Sequence, residues 1–323
     1  MLSRLKRRNR PTLSWRSIIL GLIVIVSVVL FFIVRARGSG VSDRVSVIVA
    51  TSPMIVWSWN TTDNTFIVLT AHSDDVIDAL YGYGHYSLEA LWRLGFMDKK
   101  EGVLLSDSFS DTLGLPIGWY IGTKSQTLPG VSDVLEYGRS LFSLSNIFSF
   151  IGGGYQSNMP IGLFVAFSRA VAGARPDKIH TVDLTTLSVV SDELLPDGTT
   201  RKIISPDFLD HALGGMFEND LLRKEGSSVA LYNTTSVPAL GNRASRMLTN
   251  SGILVVTVGN DEPMISQCEL IGNTQSLSSK TAVYILSVFG CKKIVSKDTT
   301  RADLTIRLGS DYSKRFEALK KQP

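Results

Sequence analysis

Residues Ser227–Tyr312 alternate short apolar runs with turn-forming residues so regularly that they fix a small layered α+β unit. Val229-Ala230-Leu231-Tyr232 is an apolar run that stops at Asn233-Thr234-Thr235, the pattern of a strand ending in a turn. Pro238 falls near the first turn of a helix, where its missing N–H costs nothing. Leu240, Ala244, Met247 and Leu248 then share one helical face, and Asn250-Ser251-Gly252 supplies the residues that end it. Ile253–Val258 breaks at Gly259-Asn260-Asp261, and Cys268–Ile271 reads as a short strand. Ala282, Ile285, Leu286 and Phe289 form the face of a second helix closed by Gly290. Lys292–Val295 and Leu304–Leu308 complete the order β-α-β-β-α-β-β, the last strand alternating Leu304, Ile306 and Leu308 with Thr305 and Arg307.

This stretch resembles the C-terminal domain of LytR-type cell-envelope proteins. The resemblance rests on Val229–Tyr232 with Asn233-Thr234, on Leu240-Gly241 and Ala244, and on Ser251-Gly252-Ile253 with Val256-Thr257-Val258-Gly259-Asn260. It is completed by Ala302-Asp303-Leu304 and by Leu308-Gly309-Ser310-Asp311-Tyr312. The resemblance implies an extracytoplasmic module usually attached to a LytR-CpsA-Psr domain, and it brings no catalytic residue with it.

Charge divides the chain sharply. Residues 1–37 carry eight basic side chains (Arg4, Lys6, Arg7, Arg8, Arg10, Arg16, Arg35 and Arg37) and no acid. Of 33 basic and 29 acidic residues, the remainder therefore holds 25 against 29, a net negative balance. The excess of base belongs to one terminus and not to a nucleic-acid-binding face, which argues against a transcriptional regulator and against nucleic acid as a partner. Ile18–Val34 is seventeen uncharged residues in a row, close to the roughly 20 that cross about 30 Å of hydrocarbon. A cleaved signal peptide is the alternative, but it expects a shorter apolar core and small residues at a cleavage site. With six basic residues before the run and two after it, the N-terminus is expected inside and everything beyond about residue 38 outside.

Cys268 and Cys291 flank one helix of the terminal module, so a disulfide is conceivable in an oxidising exterior; two separate buried thiols are the preferred reading. His72, His85, His180 and His211 are scattered without ligand spacing, and no metal or cofactor is expected.

In the middle of the chain Val45–Ala50, Ile55–Trp59 and Phe66–Thr70 read as strands, the last two joined by a hairpin through Asn60–Thr65. Tyr81–Tyr86 reads as a glycine-aromatic loop, after which Ser87 caps a helix Leu88–Leu94 stopped by Gly95. Leu113–Ile121 reads as a turn running into a strand. Tyr137–Ser149, Leu163–Ala172 and Phe208–Phe217 read as helices, Ile179–Leu184 as a strand, and Asp192–Thr200 as a surface turn. Asp74, Asp75 and Asp78 read as a solvated turn or helix start in preference to a metal site, and Arg169 and Arg175 as a solvated helix face in preference to an anion site.

Residues 43–220, with Gly82-Tyr83-Gly84 before a helix and Leu113-Gly114-Leu115-Pro116-Ile117 before a strand, resemble a LytR-CpsA-Psr core. That resemblance implies binding of a polyprenyl-pyrophosphate glycan and its transfer onto peptidoglycan. Gripping a pyrophosphate takes bidentate arginines, and holding Mg²⁺ takes carboxylates. At the matched positions this chain has Ala50-Thr51-Ser52-Pro53, Thr62-Asp63-Asn64-Thr65 and Thr70-Ala71-His72-Ser73, with no arginine in any of them. Arginine occurs between residues 41 and 220 only at 44, 93, 139, 169, 175 and 201.

The expected fold class is α/β: a membrane-anchored, mixed-sheet LytR-CpsA-Psr-like core followed by the small α+β module. The expected parts are residues 1–37 as basic tail and anchor, 38–225 as degenerate core, 226–312 as LytR-type domain and 313–323 as basic tail. The expected function is non-catalytic binding of cell-wall glycan or envelope proteins, with no catalytic, cofactor-binding or metal-ligating residue assigned. A divergent polyprenyl-pyrophosphate glycopolymer phosphotransferase is the alternative.

Overall fold

Covering both faces of one sheet organises the first part of the fold. A computed structural model describes residue 15 and residues 44–125, 127–196, 198–296 and 302–317. By its contacts the chain divides into Met1–Val41, of which only the exposed, helical Trp15 is described, and Ser42–Pro323. Among the described residues no helix is long and apolar enough to cross a membrane, and Ile18–Val34 lies outside them.

Strands β1 (Arg44–Ala50), β2 (Met54–Asn60) and β3 (Thr65–Ala71) form an antiparallel meander with Val47 opposite Trp57 and Trp57 opposite Val68. Their side chains are buried on both sides, which explains why the sequences run apolar without the alternation of a half-solvated strand. Next come β4 (Val76–Ala79), β5 (Gly84–Ser87), α1 (Leu88–Met97), α2 (Val103–Leu113) and β6 (Trp119–Gly122). Then follow α3 (Val134–Leu141), α4 (Ile147–Ile151), β7 (Gln156–Ser157), α5 (Ile161–Gly173) and β8 (Ile179–Asp183). The central sheet has the order β7-β6-β1-β2-β3-β8, with β6 parallel to β1 and β8 parallel to β3. Ile48, Val56 and Leu69 pack with Trp92 of α1 and Phe109 of α2 on one face. Val47, Trp57 and Phe66 pack with Phe142, Phe164 and Phe167 on the other.

A second sheet, β5-β4-β10-β9, adds the hairpin β9 (Val190–Leu194) and β10 (Thr200–Ile204), so strand takes both ends of the span 192–200 and its turn is shorter than the sequence suggests. The span 81–86 likewise ends in strand β5, paired with β4. Helices α6 (Pro206–Leu213) and α7 (Asp220–Glu225) lead out of this part.

Two helix boundaries differ from the sequence reading. Helix α1 continues past Gly95 to Met97; a Cβ at Gly95 would sit 1.8 Å from the Glu101 carbonyl oxygen, so the glycine serves a close approach and not a stop. The span 137–149 is not one helix: α3 ends at Leu141, Leu144–Asn146 is a 3₁₀ turn, and α4 follows. Helix α2 has no counterpart in the sequence reading, because its inward positions include Ser108, Ser110 and Thr112, whose hydroxyls bond nearby backbone.

The terminal module follows the sequence pattern element by element. It comprises β11 (Ser228–Asn233), α8 (Leu240–Asn250), β12 (Leu254–Asn260), β13 (Glu269–Gly272), α9 (Lys280–Phe289), β14 (Lys292–Val295) and β15 (Leu304–Leu308). Sheet order is β12-β11-β15-β13-β14. Val229, Leu231, Leu304, Ile306 and Leu308 hold alternate strand positions and share one core with both helices. Glu225 caps α9: its carboxylate accepts from the Lys280 and Thr281 amides at 2.9 and 2.7 Å.

Cys268 and Cys291 are not separate thiols but a disulfide. The parallel pairing of β13 with β14 sets Glu269 opposite Lys292, which brings the preceding cysteines side by side.

The module is joined to the core through α8. Arg246 forms an ion pair with Asp210 and donates to the Asp111 and Thr112 carbonyls, each at 2.7 Å. These carbonyls belong to the last turn of α2, where a cation also meets the negative end of the helix dipole. Arg243 pairs with Asp111, and Asn250 donates to Asp210 at 2.9 Å. A short helix α10 (Ser310–Ser313) follows β15, and its Tyr312 lies against Phe289. The apolar clusters draw on residues from Val45 to Tyr312, so the folded unit takes none of its described core from residues before 42.

Two outcomes are expected. Replacing both cysteines by serine frees a 23-residue closed loop and lowers stability by about 3 kcal/mol in urea unfolding. Arg246→Ala costs about 2 kcal/mol by the same measure, since it leaves Asp210 and two helix-end carbonyls short of a partner.

Candidate functional site

Where β1, β3 and β6 end, the backbone emerges from an apolar sheet and polar side chains gather. This is the edge at which open α/β sheets place their ligands. From β1 come Thr51 and Ser52, from β3 come His72, Ser73 and Asp75, and from β6 come Thr123 and Lys124. The Ser52 amide donates to the Pro129 carbonyl at 3.0 Å, and the Ser52 carbonyl accepts from the Val131 amide at 2.9 Å. These bonds bind the loop after β6 to the loop after β1. The Ser52 and Ser73 hydroxyls lie 3.0 Å apart, and Thr51 donates to the Pro53 carbonyl at 2.7 Å.

Asp75 closes the turn after β3. Its carboxylate accepts from the His72 amide at 3.1 Å, its own amide donates to the His72 carbonyl at 3.1 Å, and its carbonyl accepts from Leu88 at the start of α1. The residue is 2% exposed, which contradicts its reading as part of a solvated turn or helix start. Burial pushes its carboxyl above the usual aspartate range, while the hydrogen bond from His72 and the charge of Lys202 pull the other way. The three acids grouped in the sequence are separated in space. Asp74 turns out to solvent beside His72, Asp75 turns inward, and Asp78 reaches Arg243 of the terminal module at 3.7 Å.

Under this edge lies Trp92. A Cβ on Gly122 would come within 2.4 Å of its ring and 2.9 Å of the Ala50 Cβ, so glycine is what lets β6 close over the indole. The Trp92 indole N–H and the Thr123 hydroxyl are buried without a hydrogen-bond partner among the described residues.

The arginines lie elsewhere. Arg44 starts β1, at the far end of the sheet, bonding Ser58 at 3.2 Å and sitting over the Phe217 ring. Arg93 pairs with Glu89, Arg175 with Asp177 and Arg201 with Glu193, while Arg139 and Arg169 are exposed on α3 and α5. Arg169 is exposed within α5, and Arg175, also exposed, lies beyond its end. Among the described residues no three His, Cys, Asp or Glu side chains are grouped to hold a metal ion. The edge thus combines hydroxyls and one buried carboxyl, which hydrogen-bond neutral polar ligands, with the exposed side chains of His72 and Lys124. A small concavity between α2, α6 and α8 is lined by Leu113, Leu115, Asp210, Phe217 and Asn250 and has room for about 10 Å³, roughly one water.

Residues 227–312 match the family model described as LytR cell envelope-related transcriptional attenuator. The last quarter of the chain thus matches a LytR C-terminal domain. Solved structures with partial similarity to the chain include a LytR-CPS2A-psr family protein. The transcriptional regulator yvhJ from Bacillus subtilis is 16% identical with a TM-score of 0.38, over 53% of this chain and 94% of that one. TagV of B. subtilis is 14% identical with a TM-score of 0.36, over 52% and 92%. The LytR-CPS2A-psr family protein YwtF (TagT), solved with octaprenyl pyrophosphate lipid, is 10% identical with a TM-score of 0.35, over 52% and 87%. No curated protein matches this sequence.

The raised Asp75 carboxyl sets a pH dependence. Its contribution to stability is complete below about pH 4, the ordinary aspartate value, and is lost as pH rises through the higher folded value. Asp75→Asn removes that loss, so its urea midpoint relative to the parent is expected to rise between pH 4 and neutrality.

Proposed function

We propose that this chain is a non-catalytic envelope protein, anchored by Ile18–Val34 in the cytoplasmic membrane with its N-terminus inside. On this reading its exported domains hold cell-wall glycan or another envelope protein. The observation that carries the reading is the composition of the sheet edge. It carries the hydroxyls of Thr51, Ser52 and Ser73, with Ser52 partly exposed over the buried other two, and the arginines of this part are engaged or exposed at other places. A lipid-linked diphosphate carries concentrated negative charge and calls for several guanidinium groups. Sugar hydroxyls call for neutral donors and acceptors, which the edge has. The LytR domain, tied to the core through Arg246, extends the same exported unit.

Residues 42–323 should sediment with isolated cell-wall sacculi, and Ser52→Ala with Ser73→Ala should weaken that retention severalfold. Lack of retention, together with lack of any protein captured from an envelope extract, would leave the binding reading without support.

One observation speaks for the second reading, a divergent phosphotransferase acting on a polyprenyl-pyrophosphate glycan: Asp75 is an inward carboxyl at the end of β3. Incubation with a polyprenyl-pyrophosphate substrate and Mg²⁺ separates the two. No transfer is expected, and turnover abolished by Asp75→Asn would replace the first reading.

A further inference from the structure

The segment between α3 and α5 is apolar on two sides. Ile147 and Phe150 pack inward, Phe150 stacking on Phe164 with ring centroids 4.3 Å apart. Leu144, Phe148 and Ile151, spaced four and three residues apart, form the opposite face and are 50%, 80% and 57% exposed. The outward face of a solvated helix carries polar side chains; this one carries large apolar ones. Gly152, Gly153 and Gly154 continue the exposed surface, and Ile161 at the start of α5 is exposed beside them in sequence. The segment is held in place: the Asn146 side chain donates to the Ser140 carbonyl at 2.7 Å, and Gly154 closes onto the Ser149 carbonyl at 2.9 Å.

Residues 137–176 contain three arginines and no aspartate or glutamate, bounded by Glu136 and by Asp177, which pairs with Arg175. Arg139 and Arg169 are exposed, and the Lys124 ammonium lies 3.8 Å from where a Cβ on Gly153 would be. An exposed apolar face with cations near it has the two signals that together bind a protein to an anionic bilayer surface. A small glycine-bordered apolar face needs no matching groove in lipid, which deforms around it.

We infer that Leu144, Phe148 and Ile151 form a membrane-interface contact that enters the acyl boundary of an anionic phospholipid bilayer, with Arg139, Arg169 and Lys124 meeting the lipid phosphates. Lys124 belongs to the sheet edge as well, so this contact adjoins that edge. It holds the exported unit against the membrane by a surface of its own, separate from the apolar run before residue 38.

Flotation of residues 42–323, which carry their own cores, with vesicles of phosphatidylglycerol and phosphatidylcholine tests the inference. The protein should float with these vesicles, less so at high salt and not with phosphatidylcholine alone. Phe148→Ser with Ile151→Ser should weaken binding at least about tenfold, because each removed side chain forfeits its transfer into hydrocarbon. Arg139→Gln with Arg169→Gln should weaken it on the anionic vesicles and flatten the salt dependence. Unchanged thermal midpoints of both variants would show that exposed side chains, and not the fold, were altered. Absence of flotation, or flotation undiminished by Phe148→Ser with Ile151→Ser, overturns the inference. Concentration-dependent dimers abolished by the same pair overturn it in favour of a contact between two copies.

Discussion

Burial of the β1–β3 meander on both faces is the constraint from which the architecture of the core follows. Trp57 points to one side and Val56 to the other, and neither side can be left to water at about 25 cal/mol for each Å² of apolar surface. Helices α1 and α2 must therefore close one face and α3 and α5 the other. Once both faces are sealed, polar chemistry has only the strand ends. That is where Thr51, Ser52, Ser73 and Asp75 are found, held by bonds between the loops that leave the sheet.

The terminal module solves a different problem. Its sheet packs both helices into one core, so its strands alternate and the module is a two-layer unit. The outer, polar positions of α8 then become available, and Arg243 and Arg246 use them to reach α2 and α6. Burial pushes the Asp111 carboxyl up, and the neighbouring arginines offset part of that cost. The junction between the two parts is thus an arginine-carboxylate-carbonyl network and not a flexible linker.

What could be read in advance depended on whether a signal was local. Leu304, Ile306 and Leu308 announce a strand by alternation, and Gly252 and Gly290 mark helix ends, so the whole terminal module was legible. Helix α2 was not, because Ser108, Ser110 and Thr112 face inward and erase the periodicity that a helix search uses. The disulfide was not legible either: 23 residues separate its cysteines, and only the parallel register of β13 and β14 sets them side by side. Of the candidate site, the lack of arginine at the matched positions was visible in the residues themselves. The inward turn of Asp75 was not, since Asp74, Asp75 and Asp78 look alike in a string of letters.

By itself the sequence determined which segments become strands and helices in the terminal module, which end of the chain is basic, and which side-chain types reach the edge of the central sheet. Those properties are carried by neighbours a few residues apart, where backbone preference and hydrophobic period act directly. Tertiary structure alone decided that Asp75 is buried while Asp74 is not, that Cys268 meets Cys291, and that Arg246 of α8 reaches α2 and α6. It also decided that Phe148 faces outward while Phe150 faces in. Each of these turns on contacts between residues distant in sequence or on which side of an element is covered, and neither is written in the local order of side chains.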